Sequence, residues 1–186
     1  MSEPSSSEAL PVAAARGGNA QAWRALFDRF KLPLYAFTFE IVREEAAAAD
    51  VVQEAFISAS RNLPQLREDS RFASWLFSIA HQKCLQHLKK QGSRTPLSDK
   101  VELDQQQDMA ATPDEWLMDA EAAERLQEGL ERLPEPHRAV VTLFFLEDFS
   151  LEEIATITGT PVGTVKSRLH YAKKTLRAWL ATENAL

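Results

Sequence analysis

Between Ser150 and Leu180 the chain reads SLEEIATITGTPVGTVKSRLHYAKKTLRAWL. Its second half carries Thr164, Lys166, Ser167, Arg168, His170, Tyr171, Lys173, Lys174 and Arg177, with no acidic residue from Val162 to Ala181. Such side chains neutralise phosphates and bond the edges of bases, the chemistry of a helix lying in a DNA major groove. A second set, Asp50, Gln53, Glu54 and Ile57, recurs at spacings of three and four, so on a helix it shares one face. Carboxylate, amide and aliphatic groups mixed on one face suit a protein partner. A third set interleaves Arg71, His81, Lys83, His87, Lys89 and Lys90 with Phe72, Trp75 and Phe77, a pattern that a surface for single-stranded nucleic acid would show. Burial is the commoner fate of aromatics in a small helical protein, so these three are expected in the core.

The elements that must position the basic set are legible in the same stretch. Ser150-x-x-Glu153 has the form of a capping box, opening a short helix that should stop near Thr158. Gly159 supplies a residue that takes positive φ cheaply. Thr160-Pro161 then reads as N-cap and first helical position of a second helix. Two helices joined by so short a turn form a helix-turn-helix. In the second, Val162, Val165, Leu169, Ala172, Leu176 and Trp179 make one apolar stripe, which leaves the basic set on the opposite face. A lone basic helix is ordinarily just solvated, but the cap, the turn, the restart and the charge segregation together favour DNA.

Upstream, residues 1–18 are rich in Ser, Pro, Glu, Ala and Gly and are expected to form a mobile tail. From Trp23 through Leu26, Phe27, Phe30, Leu34, Phe37 and Ile41 the spacing predicts a helix that Pro33 should break or kink. A further helix runs from Ala46 to about Asn62, with Val52, Phe56 and Ala59 facing a core. After a loop at 64–71, another helix has Phe72, Trp75, Leu76, Ile79, Ala80, Cys84 and Leu88 as its apolar positions. Residues 92–114 read as a flexible acidic linker, since Pro96 to Arg125 holds nine acidic residues against Lys100 and Arg125. Helix returns at about 115–133, stops at Pro134 and resumes from Pro136, with Val140, Val141, Leu143, Phe144 and Leu146 largely buried. No segment alternates as a strand would. The expected fold is all-α, two small helical domains at 19–91 and 115–182 joined by the 92–114 linker.

The chain has 186 residues, 45% of them hydrophobic, and a net charge of -6, enough for two small cores. The negative sum says little about the DNA-facing surfaces, because the acids concentrate in the middle. The single cysteine, Cys84, excludes an internal disulfide, and no Cys/His cluster has metal-ligand spacing, so no metal or other cofactor is expected. No signal-like or membrane-spanning run is present, and a cytoplasmic protein without a membrane partner is expected. Paired carboxylates, a nucleophile-base set and a phosphate loop are all missing, which argues against an enzyme and any catalytic residue.

With these residues in view, the chain resembles the bacterial RNA polymerase sigma factors of the ECF group of the sigma-70 family. LPEPHRAVVTLFFLEDFSLEEIATITGTPVGTVKSRLHYAKKTL looks like region 4, DVVQEAF at Asp50 to Phe56 like region 2.2, and FASWLFSIA at Phe72 to Ala80 like regions 2.3 to 2.4. The resemblance covers about residues 19–182. It implies that the chain binds core RNA polymerase, at the clamp of the largest subunit and the flap, and directs initiation on promoter DNA. By position, Asp50, Gln53, Glu54 and Ile57 would meet the clamp. Arg71, His81, Gln82 and Lys83 would face the -10 strand. Thr164, Lys166, Ser167, Arg168, His170, Tyr171, Lys173 and Lys174 would read the -35 duplex.

The chain departs from the family pattern in three places. Ala47-Ala48-Ala49-Asp50 stands where an Asp-Ala-Glu-Asp cluster is usual, removing two carboxylates from the clamp-binding face; Gln82 replaces a common asparagine, and Tyr171 a common arginine. Ser58 and Ser60 follow on the same helix, and a phosphate on either would add about -1.5 to -2 of charge. Control by a Ser/Thr kinase is therefore an expectation beside the ordinary one of an anti-sigma factor. The rival is a helix-turn-helix transcriptional regulator that never becomes a polymerase subunit.

Overall fold

Proline in the middle of a long apolar run is the first test of these expectations. In the computed structural model, which describes residues 10–92 and 127–183 with side chains through residue 180, Pro33 lies inside an unbroken helix. That helix, α2, spans Ala20–Val42 and buries Leu26, Phe30, Leu34, Phe37 and Ile41 along one face. Five apolar side chains at roughly 1.5–3 kcal/mol each outweigh the roughly 3 kcal/mol that an interior proline costs. The expected break is thereby overridden. Asn19 caps the start, its Oδ1 accepting from Gln21 N at 2.9 Å and Ala22 N at 3.1 Å, and Arg43 ends it at φ 57°.

The chain divides into two units, Met1–His87 and Leu88–Leu186. In the first, α2 packs against α1 (Val12–Arg16) and α3 (Glu45–Asn62), and α4 (Phe72–Lys90) closes the core through ring contacts. Phe30 meets Phe72 at 5.6 Å and Phe37 meets Phe77 at 5.4 Å between centroids. Two 3-10 turns, Leu63–Gln65 and Asp69–Arg71, lie in the connector from α3 to α4. Trp75, Ile79 and Leu88 are only half-buried, whereas Phe72 and Phe77 are fully buried.

The mobile tail expected at 1–18 is corrected over its described part. α1 buries Val12 completely and Ala15 nearly so. Arg16 then donates to Leu66 O at 3.0 Å and Leu63 O at 3.5 Å, and pairs with Asp69. One buried valine and one multiply bonded arginine hold a stretch whose small residues show little period. Residues 1–9 and 93–126 lie outside the described residues, and with them nearly all of the linker expected at 92–114 and the first part of the helix expected at about 115–133.

The second unit has a helical stretch α5 at 127–131, then α6 (Glu135–Phe145), α7 (Leu151–Thr158) and α8 (Val162–Glu183). α6, α7 and α8 pack mutually around Val140, Leu143, Ile154, Ile157, Val165, Leu169, Ala172 and Leu176. α5 comes close to α8 at Gly129, where a Cβ would sit 2.8 Å from Leu176 Cδ2 and 3.1 Å from Trp179. Arg138, nearly buried, donates Nη1 to Leu133 O at 3.1 Å and Leu130 O at 3.4 Å, which satisfies carbonyls at the α5 end. Leu146, expected in the core, is 53% exposed because it follows the last residue of α6 rather than continuing its buried face.

Candidate nucleic-acid and protein interfaces

The reading head is built as its sequence signals require. Ser150 Oγ accepts from Glu153 N at 3.3 Å while Glu153 Oε2 accepts from Ser150 N at 2.9 Å, completing the capping box of α7. Gly159 closes that helix at φ 65°, where a side chain would be strained. Thr158 donates to Ile154 O at 2.7 Å, so the 2.9 Å contact with Thr160 is a bond that Thr160 donates. Its hydroxyl therefore ties the turn together, and Val165 N bonds Pro161 O at 3.1 Å in the first turn of α8.

Along α8 the buried residues Val165, Leu169, Ala172, Leu176 and Trp179 leave Lys166, His170, Tyr171 and Lys174 exposed on the far side. Thr164, Ser167, Arg168 and Lys173 are half-buried. Ser167 donates to Thr164 O at 3.0 Å. Lys173 Nζ lies over the rings of Phe144 and Phe145, 5.6 and 5.4 Å from their centroids, so it leans on α6 and sits at the margin of the basic face. Tyr171 keeps its ring 4.7 Å from buried His137. In the loop before α7, Glu147 is pushed up to about 7, first by burial and then by the adjacent Asp148.

In the first unit Asp50, Gln53, Glu54 and Ile57 form one exposed stripe of α3. Ala49 belongs to that stripe, but Ala47 and Ala48 are buried against the rest of the unit. A carboxylate at residue 47 would thus enter the core, and Ala49 alone marks a missing charge on this face. Ser60 is exposed and donates to Ile57 O at 2.9 Å. Ser58 departs from the expected placement and turns toward α4.

There it lines a cavity of about 480 Å³ with Asn62, Gln65, Leu66, Arg67, Trp75, Ile79, Gln82, Lys83 and Gln86. The four residues expected on the -10 side are not brought together. Gln82 and Lys83 line the cavity. Arg71 lies on the rim-side connector, its Nε 2.7 Å from Glu68 Oε2. His81 is only 6% exposed and faces the Phe37 ring at 6.3 Å, so it cannot reach a strand, and its assignment is corrected to a core residue. Gln82 stands two residues, about 200° of helix, from both inward Ala80 and inward Cys84, and His81 falls on their side. Sequence reasoning missed Asn62, Gln65, Arg67 and Gln86, whose only signal was a polar composition that loops share. Among the described residues no group of three His, Cys, Asp or Glu side chains could hold a metal ion, and no helix is long and apolar enough to cross a membrane.

Comparison with known proteins decides the family. Sigma-70 region 2 matches residues 26–94, and sigma-70 region 4 matches residues 123–176. The chain is 34% identical to the RNA polymerase sigma-H factor of Pseudomonas aeruginosa over 86% of each chain. It is also 34% identical to the ECF RNA polymerase sigma-E factor of Escherichia coli over 95% of each. The chain belongs to the ECF group of the sigma-70 family.

The fold agrees. CnrH, solved in complex with the cytosolic domain of CnrY, superposes with a TM-score of 0.67 at 24% identity, covering 94% of this chain and 99% of that one. The sigma factor RpoE of Bartonella quintana, solved with the anti-sigma factor NepR, gives 0.63 at 24% identity over 85% and 98%. In this sigma factor the region 2 match begins inside α2, so α1 and Arg16 precede it.

Proposed function

We propose that this ECF sigma factor docks on core RNA polymerase through the α3 stripe Asp50, Gln53, Glu54 and Ile57, and reads its promoter at two places. The cavity beside Gln82 and Lys83 receives the -10 strand, and the exposed face of α8 receives the -35 duplex. The observation that carries this reading is the separation of chemistries on one small unit: acids and an aliphatic residue outward on α3, amides, a lysine and Trp75 around the α3–α4 cavity. Amides bond base edges and the tryptophan offers a stacking wall, which suits an unpaired base.

The test is run-off transcription from a promoter library with core polymerase, with and without the protein. Promoter-selective transcripts that depend on the protein support the reading. Tight promoter binding by the protein alone, with no transcripts added by core polymerase, supports the rival regulator.

Control of docking is a finer part of the same proposal. With Ala49 in the stripe, the clamp-facing charge is low, and Ser60 sits on the exposed side of the same helix. A phosphate on Ser60 adds about two negative charges there, the kind of change that a Ser/Thr kinase supplies. Ser58 is the weaker candidate because it faces the cavity. Core-polymerase affinity should rise in Ser60→Glu and in Ala49→Glu. Tight binding by unmodified wild type with no gain in either variant instead supports ordinary control by an anti-sigma factor, the partner type found with the Bartonella quintana relative.

A further inference from the structure

The connector between α3 and α4 carries three of the side chains that line the cavity, Gln65, Leu66 and Arg67, yet only its two short 3-10 turns are regular. Leu66 itself is extended, at φ -71° and ψ 115°. A wall made of such backbone needs something to hold it. It is bonded by Arg16, from the segment ahead of the region 2 match. Its Nη2 donates to Leu66 O at 3.0 Å and contacts the Asp69 carboxylate, and its Nε donates to Leu63 O at 3.5 Å.

We propose that Arg16 is a positioning residue for -10 recognition: by holding the carbonyls of Leu63 and Leu66 and the carboxylate of Asp69, it sets the cavity wall. The inference rests on the reading of that cavity as the -10 site. A guanidinium suits this task because it is a planar fork with five donors in fixed directions, able to serve two carbonyls and a carboxylate at once, whereas a lysine ammonium is a point charge on a flexible stem. α1 is itself anchored, since Val12 and Ala15 are buried, so the bonds run from a fixed helix to an irregular loop. The bonds of Arg16 run to Leu63, Leu66 and Asp69, all in the connector.

The test uses full-length protein with core polymerase and a promoter library randomised at -10 with the -35 element fixed. Arg16→Ala, Arg16→Lys and Asp69→Asn are compared with wild type, with Gln82→Ala as the cavity control, and thermal stability and core-polymerase affinity are measured alongside. Arg16→Ala should change the -10 base preference and lower strand opening on the preferred promoter about tenfold, the loss expected when a charge-assisted bond is removed, with core-polymerase affinity unchanged. Arg16→Lys should fall between. A uniform loss over all -10 sequences, or no loss at all, overturns the proposal, because a merely structural brace would not alter base preference. If Arg16→Ala does not fold, Asp69→Asn, which keeps both carbonyl bonds, decides by the same criterion. Should Gln82→Ala leave the preference unchanged, the cavity is not the -10 site and the parent reading fails; should Gln82→Ala shift it while Arg16→Ala and Asp69→Asn do not, only the role of Arg16 fails.

Discussion

Glu54 and Lys83, 29 residues apart in sequence, meet at 3.0 Å, so the α3 stripe proposed for polymerase is tied to the α4 cavity wall proposed for the -10 strand. The Glu54 side chain is 65% exposed. An ion pair so wet contributes only about 0–1 kcal/mol, so its value to stability is small and its value to function is the question. Glu54→Gln should leave thermal unfolding nearly unchanged but weaken core-polymerase binding. The exchange Glu54→Lys with Lys83→Glu should keep the pair and still lose the affinity, since the charge facing polymerase is reversed. Affinity restored by the exchange would mean that the pair acts only within the fold.

Neighbouring residues of α4 should behave oppositely. His81 is packed beside Phe37, so His81→Ala should destabilise the first unit by about 1–3 kcal/mol, the usual cost of emptying a buried site. Gln82 is exposed on the cavity, and Gln82→Ala should change stability by less than about 0.5 kcal/mol while altering -10 preference. Thermal unfolding beside a promoter-library assay checks both. Equal destabilisation by the two substitutions would contradict the placement of Gln82.

The contrast between His81 and Gln82 shows what the sequence could convey. Type and spacing were enough for the reading head, because cap, turn and apolar stripe there are local signals: Ser150, Glu153, Gly159 and Val165 each specify their own neighbourhood. Helices α2, α3 and α4 of the first unit were legible from period for the same reason, though α1 and the passage of α2 through Pro33 were not. What escaped was non-local. Nothing near Arg16 in sequence points to Leu66 and Asp69, some 50 residues on, and the cavity is assembled from three segments whose polar residues look like ordinary loop and helix surface. His81 misled because a basic residue among aromatics reads alike whether it lines the core or the surface. Ala47 is buried although its family position is a charged one, because position in a motif does not convey exposure.

Lysines of α8 should divide by their surroundings. Lys166 and Lys174 project from the exposed face, whereas Lys173 rests over Phe144 and Phe145. Each cation on a phosphate contributes a slope of about -0.9 to the plot of log K against log salt. Lys166→Ala and Lys174→Ala should each flatten that slope by about one unit for a -35 duplex, as measured by fluorescence anisotropy. Lys173→Ala should flatten it less and instead lower the melting temperature, because it removes a cation–ring contact of about 0.5–1 kcal/mol. Identical slopes for wild type and all three variants would show that this face does not meet DNA.

The loop that leads into the reading head should make its stability depend on pH. Glu147 is pushed up to about 7 from an ordinary value of 4.5, by burial first and by Asp148 second. Its folded form therefore holds a proton more tightly than the unfolded chain does. The resulting stabilisation is fully present below the unfolded value and is lost as pH rises through about 7. Glu147→Gln keeps the neutral shape and removes the titration. At about pH 5 the variant and wild type should melt together, and by about pH 8 the variant should melt higher, because wild type then carries a poorly solvated charge beside Asp148. Glu147→Ala is a less direct comparison, since it also removes side-chain atoms other than the titrating carboxyl. Thermal unfolding across this range, followed by a signal from the second unit, checks the sign. A variant that tracks wild type at every pH would place Glu147 in solvent with an ordinary carboxylate, and a variant that loses stability at high pH would mean that the ionised form makes a favourable contact.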